Sequence, residues 1–523
     1  MLSFLRARAP KAPPPRPPLR DLNWDGRALD ATLDDASSGI DVALELDGAF
    51  FSTVASDRLG QVRFEFPFAP QADAVDAVLR RGRNGESLTA EPLRFRIDEA
   101  GFRRDQNSTP RVLAPLSSPS FAVPFAMDVG AIEVAIVVPV YDAPDAVETC
   151  LDAVLRHTTG NARLIVIDDA SPDPAIAPLL ARYAQLPRVV VLANPNNRGF
   201  TATANLGIAQ AGRADVVLLN ADTRVGPNWL DGLRRAAYCA DDVATATAVS
   251  DNAGAFSVPE LEHENALPAC WTFDESARAL WQHAGHAYPE LPTGNGFCMY
   301  IRRSVIDAIG ALDEAAFPQG YGEENDFCQR ASARGLRHLI AGNVLVHHAR
   351  SRSFGHERRA LLGVAGMAVL RERWPRYEAE VGASLHSFAR RVLDWRVRRV
   401  FAGAERMRPT PRVLYVGAAI PASAMHETWH FRANVESAEI VHSGTPAAST
   451  RDTHGPFAEE LVSRWLQDFA IEAIVANDEA PPSLTDAARK LGVPIARFRA
   501  GEDAESAVAR AFVASQTFTG PAP

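Results

Sequence analysis

The chain has 523 residues, 47% of them hydrophobic and 23% charged, with a formal net charge of -10; it is long enough for roughly two to four domains with ordinary buried cores. The acidic balance excludes a nucleic-acid binder, which would carry a basic surface. Five scattered cysteines (Cys150, Cys239, Cys270, Cys298, Cys328) without CxxC spacing exclude a zinc site and read as buried thiols in a reducing compartment.

Residues 1–20 are rich in Pro and Arg and read as a disordered, polyproline-like arm. Their apolar run is too short for a signal peptide, and no apolar stretch reaches the ~18 residues of a membrane span, so a cytoplasmic protein is expected. From 21 to 126 the pattern has period two. Val42, Leu44 and Leu46 alternate with Ala43 and Glu45, and Val62, Phe64 and Phe66 with Arg63 and Glu65. With the turn signals Asp47-Gly48 and Asn84-Gly85, this predicts antiparallel strands and a β-sandwich-like accessory domain. The Pro- and Ser-rich stretch 108–124 reads as a linker.

The segment 127–375 opens with a strand-helix alternation. Strands are predicted at 134–138, 163–167, 189–192 and 216–219, with helices at 146–157, 175–185 and 200–210. Such an order predicts a parallel, right-handed α/β sheet. Each strand ends in polar residues: Tyr141 and Asp142, Asp168 and Asp169, the loop holding Asn197 and Arg198, then Asn220 and Asp222. In open α/β sheets ligands bind at these carboxyl ends. If the last strand stays extended, Asn220 and Asp222 share a face and suit a hard cation that bridges phosphate oxygens. An Asn/Asp turn closing the strand is the alternative.

The runs Val137-Val138-Pro139-Val140-Tyr141, Ile167-Asp168-Asp169-Ala170-Ser171-Pro172-Asp173, Asn197-Arg198-Gly199-Phe200 with Asn205, and Asn220-Ala221-Asp222 together resemble the family-2 glycosyltransferases. The resemblance implies a GT-A fold and transfer of a sugar from a nucleotide-sugar with inversion. It implies that Pro139 and Tyr141 flank the nucleotide, that Asp169 or Asp168 bonds the base, and that Asp222 binds a divalent cation, Mn²⁺ or Mg²⁺. Asn220 departs from the family, where many relatives carry Asp; an amide is the weaker cation ligand. Arg198 could offer a planar donor fork to a phosphate, or an ordinary surface ion pair.

Further on, Gly294-Asn295-Gly296 forms a glycine-bracketed loop, read either as a substrate contact or as a hairpin turn. Glu323, Glu324 and Asp326 precede a helical pattern. They could be helix amino-terminal charges, but like charges this close raise one another's pKa, as a general base requires. The run resembles the family's Gly-Glu-Asp-x-Asp motif, which implies Glu324 as the base, with Glu323 and Asp326 in reserve. The short strand 343–346 ends in His347-His348; the resemblance implies that one histidine completes the metal shell, and His347 is favoured. The basic stretch 351–356 is read as a lid over the diphosphate or as plain loop.

At 376–408, Leu385, Phe388, Val392 and Trp395 recur at helical steps among arginines. Such a helix can touch an anionic membrane face, where a lipid-linked acceptor would lie, or join two domains; the joining role is preferred. Residues 409–523 alternate strands and helices and read as a small Rossmann-like domain, an acceptor-presenting or oligomer surface. The leading expectation is therefore a cytoplasmic enzyme, peripheral to the inner membrane face at most, joining a nucleotide-sugar donor to a saccharide or lipid-linked acceptor. A nucleotidyltransferase and an inactive sugar-nucleotide-binding scaffold are the alternatives.

Overall fold

The computed structural model describes residues 19–24, 28–34, 39–46, 48–65, 75–89, 91–95, 128–286, 288–349, 356–417, 423–434, 437–450, 456–477, 480–499 and 501–518. Residues 1–18 of the arm, the 108–124 linker and the 351–355 part of the basic stretch lie outside them, while Leu19 and Arg20 begin a strand. The chain divides into two compact units, residues 1–115 and 116–523.

In the first unit the described strands are β1 (Leu19–Trp24), β2 (Ala28–Leu33), β3 (Asp41–Leu46), β4 (Ala49–Ala55), β5 (Gln61–Glu65), β6 (Val75–Arg81) and β7 (Leu93–Phe95). They form two antiparallel sheets, ordered β1-β2-β5 and β4-β3-β6-β7. Val42, Leu44 and Leu46 are fully buried, while Arg63 between Val62 and Phe64 reaches out to Asp30.

The second unit is built on an eight-stranded sheet. In chain order it runs β8 (Val134–Val140), α1 (Pro144–His157), β9 (Ala162–Asp168), α2 (Ile176–Tyr183), β10 (Val189–Ala193), α3 (Phe200–Gln210), β11 (Asp215–Leu219) and β12 (Thr223–Val225). There follow α4 (Trp229–Ala237), β13 (Val243–Val249), α5 (Phe273–His283), β14 (Cys298–Ile301), α6 (Arg303–Ile309), α7 (Glu323–Ser332) and β15 (Arg337–His348). β10, β9, β8 and β11 are parallel, as the alternation predicts. Their continuous Val/Ile/Leu runs suit strands covered on both faces. Along β8, Ile136 and Val138 share a core with Val147, Leu151 and Val154 of α1, while Ala135 and Val137 share another with Ala204 and Ile208 of α3. Successive side chains point to opposite faces, so one strand serves two helical layers. Gly207 allows α3 to sit this close: a Cβ there would lie 2.2 Å from Val137 Cγ1.

Beyond β11 the sheet changes sense. β14, read from sequence as a glycine-led apolar run, pairs antiparallel with both β11 and β13, and β13 is parallel to β15. The strand carrying the two histidines is twelve residues long rather than short. The last parallel strand stops at Leu219; Asn220 to Asp222 form a turn closed by the Thr223 amide donating to the Asn220 carbonyl at 3.2 Å. The shared extended face expected for Asn220 and Asp222 is therefore replaced by the Asn/Asp turn.

After β15 come α8 (His356–Arg373), α9 (Tyr377–Leu385) and α10 (Phe388–Ala402). α10 buries Leu393, Val397 and Val400 in the main core. Two of its arginines are turned inward: Arg390 is 1% exposed, pairs with Asp394 at 3.0 Å and donates to the Ala255 and Ser257 carbonyls. Arg396 is also buried and donates to the Ala284 carbonyl. These two cations serve packing, in keeping with the joining role preferred for this helix.

The last sheet is ordered β19-β18-β17-β16-β20-β21, from β16 (Arg412–Val416), β17 (Glu427–Ala433), β18 (Ala438–His442), β19 (Thr445–Thr450), β20 (Ala473–Ala476) and β21 (Ile495–Arg497). Its described helices are α11 (Pro456–Asp468), α12 (Pro482–Leu491) and α13 (Ala504–Ser515). β17, β16, β20 and β21 are parallel, while β18 and β19 form an antiparallel extension. The sequence reading passed over β17 and β19, whose Thr, His, Pro and Ser residues break the apolar runs. This sheet joins the central one through buried Glu472, which takes Asn228, Arg278 and Gln282 from α5 and the turn before α4.

Candidate active site

The carboxyl ends of β8 and β11 meet the loop before β14 and the start of α7 around a cavity of about 510 Å³. Pro139, Tyr141 and Asn197 line one side, Asn220, Asp222 and His348 the floor, and Asn295, Gly296, Glu323 and Glu324 the far wall. Residues from 139 to 348 thus converge on one hollow.

α7 supplies the acidic wall. Glu323 is 4% exposed and accepts from the Gly322 amide at 3.1 Å. Burial, then the neighbouring Glu324 charge, holds its carboxyl well above the usual range. Burial also raises Glu324, but a hydrogen bond from Glu323 works against that shift. Both carboxyls are raised, Glu323 the more strongly. Glu324 lines the cavity, although its Oε2 is buried with no hydrogen-bond partner.

Asp326 does not join them. It is 1% exposed, bonds Arg330 at 2.9 Å, Arg373 at 3.2 Å and Trp374 Nε1 at 3.0 Å, and does not line the cavity. Two residues along a helix is about 200° of turn, so Asp326 and Glu324 cannot face one ligand. As a reserve base it is set aside by this geometry.

The nucleotide-side expectations divide in the same way. Pro139, Tyr141, Asn197 and Asn220 line the cavity; Asp168 and Arg198 do not. Asp168 Oδ1 accepts from the Ser171 amide at 2.9 Å. Asp169 borders the cavity, but its carboxylate is taken up by Asn194 Nδ2 at 2.7 Å and by the Arg198 and Gly199 amides at 2.8 and 2.9 Å. Its work is to hold the Asn-rich loop. Gly294 lies beneath the surface, where a Cβ would meet Met299 Sδ at 2.2 Å, leaving Asn295 and Gly296 as the loop's cavity residues.

The histidines are placed opposite to expectation. β12 pairs with β15 so that Thr223 stands against His348 and Arg224 against His347. His348 Nε2 then lies 3.3 Å from Asp222 Oδ1, whereas His347 Nδ1 turns to Asp251 Oδ2 at 2.5 Å. His348 stacks on Phe297, and its Nδ1 faces the Asn252 carbonyl at 3.1 Å. A carbonyl only accepts, so Nδ1 carries a proton and Nε2 is the nitrogen turned to Asp222. The two atoms form an ion pair when the ring is protonated, and are of the types that ligate a divalent cation when it is not. Among the described residues no group of three or more His, Cys, Asp or Glu is set to hold a metal ion. Asp222 and His348 are the two ligand-type side chains brought together here.

Asp251 and Asn252 were not foreseen. A signal was present: β13, buried at all seven residues, ends in Ser250-Asp251-Asn252, the same strand-end polarity that marked Asp168 and Asp222.

Comparison with known proteins agrees with the motif reading. Residues 135–310 match the family model described as Glycosyl transferase family 2, so the central sheet carries a family-2 glycosyltransferase domain. Asp222 lies inside the match; Glu324 and His348 lie beyond it. The O-antigen biosynthesis protein RfbC of Myxococcus xanthus is 24% identical over 60% of this chain and 24% of its own length. The uncharacterized protein y4gI of Sinorhizobium fredii is 25% identical over 51% of this chain and 30% of its own. The chain therefore spans about a quarter to a third of these curated relatives. Among solved structures, a mannosyltransferase from Pyrobaculum calidifontis in complex with GDP-Man and Mn²⁺ aligns with a TM-score of 0.37 at 18% identity, over 54% of this chain and 77% of that one.

Proposed function

We propose that the chain transfers a sugar from a nucleotide-diphosphate-sugar to a hydroxyl of a saccharide or lipid-linked acceptor, with inversion at the anomeric carbon. The observation that carries this reading is that Glu324 lines the same cavity as the Asp222–His348 pair. Tyr141, Pro139 and Asn197 border the nucleotide end, and the Asn220–Asp222 turn lies under the diphosphate. Asp222 and His348 would hold a divalent cation, which when bound offsets the negative charge that grows on the leaving diphosphate.

Glu324 performs the proton step. The acceptor oxygen forms a bond to the anomeric carbon as the bond from that carbon to the diphosphate oxygen breaks, and the hydroxyl proton passes to Glu324 Oε2. Glu323, the more strongly raised of the pair, would donate its proton to Glu324 and orient that carboxylate. Phe297, Phe200 and Ala143 give the cavity an apolar lining that strengthens such charge interactions.

A panel of nucleoside diphosphates and nucleotide-sugars, each with and without Mn²⁺, tests this by thermal shift, since a ligand of the native state raises the melting temperature. A diphosphate whose shift grows with Mn²⁺, and whose sugar conjugate is turned over with an inverted product, is the expected result. No shift with any member would overturn the reading.

A further inference from the structure

The strand end that carries His348 is gripped by a residue outside the cavity. Asp251 is 6% exposed and its carboxylate divides its oxygens. Oδ2 takes the His347 ring at 2.5 Å, and Oδ1 takes the His348 backbone amide at 3.2 Å and Ser250 Oγ at 3.1 Å. The next residue, Asn252, supplies the carbonyl that receives His348 Nδ1. One dipeptide thus determines where the His348 backbone lies, which way its ring turns and which nitrogen bears the proton.

That dipeptide is itself held from several sides. The Ser250 amide donates to the Phe256 carbonyl at 3.0 Å, the Val258 amide to the Ser250 carbonyl at 2.9 Å, and the Asn265 amide to the Asp251 carbonyl at 2.8 Å. Arg390 of α10 reaches the Ala255 and Ser257 carbonyls of the same loop. Partners that fix tautomer and ring direction control how well a histidine serves a cation.

We propose that Asp251 is a positioning residue that presents His348 Nε2 to a divalent cation shared with Asp222. The inference rests on the metal-assisted reading above and goes beyond it, because Asp251 touches neither the cation nor the substrate. It also accounts for His347, whose ring completes the Asp251 clamp rather than the metal shell.

The test is Mn²⁺ affinity of the full chain, read from the free Mn²⁺ signal in electron paramagnetic resonance, for Asp251→Asn, His348→Ala and the double variant. Asp251→Asn keeps the shape and loses the charge, so it remains informative if Asp251→Ala fails to fold. Expected is a Kd for Mn²⁺ about 10–100-fold weaker in Asp251→Asn, with no further loss when it is combined with His348→Ala, since the two act as one unit. Wild-type affinity in Asp251→Asn, or losses that simply add in the double variant, would overturn the inference while leaving the transferase reading intact. If the wild-type chain and Asp222→Ala both fail to bind Mn²⁺, the inference and the metal part of that reading fall together.

Discussion

Glu324 and Asp326 stand two residues apart in the first turn of α7 and meet opposite surroundings: one lines the cavity, the other is saturated by Arg330, Arg373 and Trp374. The same kind of carboxylate is thereby set to react at one position and to brace the fold at the other.

Glu324→Gln removes the proton acceptor while keeping size and polarity. Turnover should fall about 10²–10⁴-fold, with donor affinity little changed. Single-turnover kinetics beside equilibrium donor binding separates the two quantities, and undiminished turnover would sink the assignment.

Asp326→Asn should do the reverse. It leaves buried donors facing a weaker acceptor and costs about 1–3 kcal/mol of stability, read from the urea midpoint. The pH dependence of whatever activity remains should match wild type.

The Glu323–Glu324 pair predicts a direction with pH. Glu324 must be ionised to accept a proton, so kcat/KM should rise with pH through an apparent pKa above the ordinary carboxylate range, a value belonging to the pair. For stability the sign is opposite. Carboxyls whose folded pKa is raised bind protons more tightly when folded, so their contribution is full below the unfolded pKa and lost as pH rises through the folded one. Glu323→Gln should therefore raise the melting temperature more at neutral pH than at pH near 4. An acidic limb at an ordinary carboxylate pKa would contradict both statements.

Gly366 of α8 lies against the segment that leads into the acidic wall. A Cβ there would fall 1.7 Å from the Tyr321 carbonyl oxygen, and Tyr321 already has a φ of 66° between two left-handed glycines. Gly366→Ala must push the helix and the Gly320–Gly322 turn apart. It should cost about 1–3 kcal/mol and lower turnover by displacing Glu323 and Glu324; a neutral result in both denaturation and assay would refute the tight approach.

Asp222→Ala should abolish the extra thermal shift that Mn²⁺ gives to a bound nucleoside diphosphate, leaving only a metal-independent remainder. A shift that persists would move the cation elsewhere.

Much of this molecule is written locally. Buried runs such as Val134–Val138 and the Phe200–Gln210 helix follow from apolar periodicity, and the polar strand ends at Tyr141, Asn197 and Asp222 mark the edge where a parallel sheet opens. Those features depend on residues within a few positions of one another, and the family motifs are of the same kind.

What depends on distant pairing could not be read in this way. The antiparallel place of β14 comes from β11 and β13, far away in the chain. The choice of His348 over His347 follows from the β12–β15 register, because a slip of one residue exchanges the two faces of a strand. Asp169 turned inward because Asn194 and the Gly199 amide arrive there, and Asp326 because Arg373 does. Side-chain chemistry and local period are carried by the sequence itself. Which carboxylate is left without a partner is decided only when the folded chain has distributed its donors.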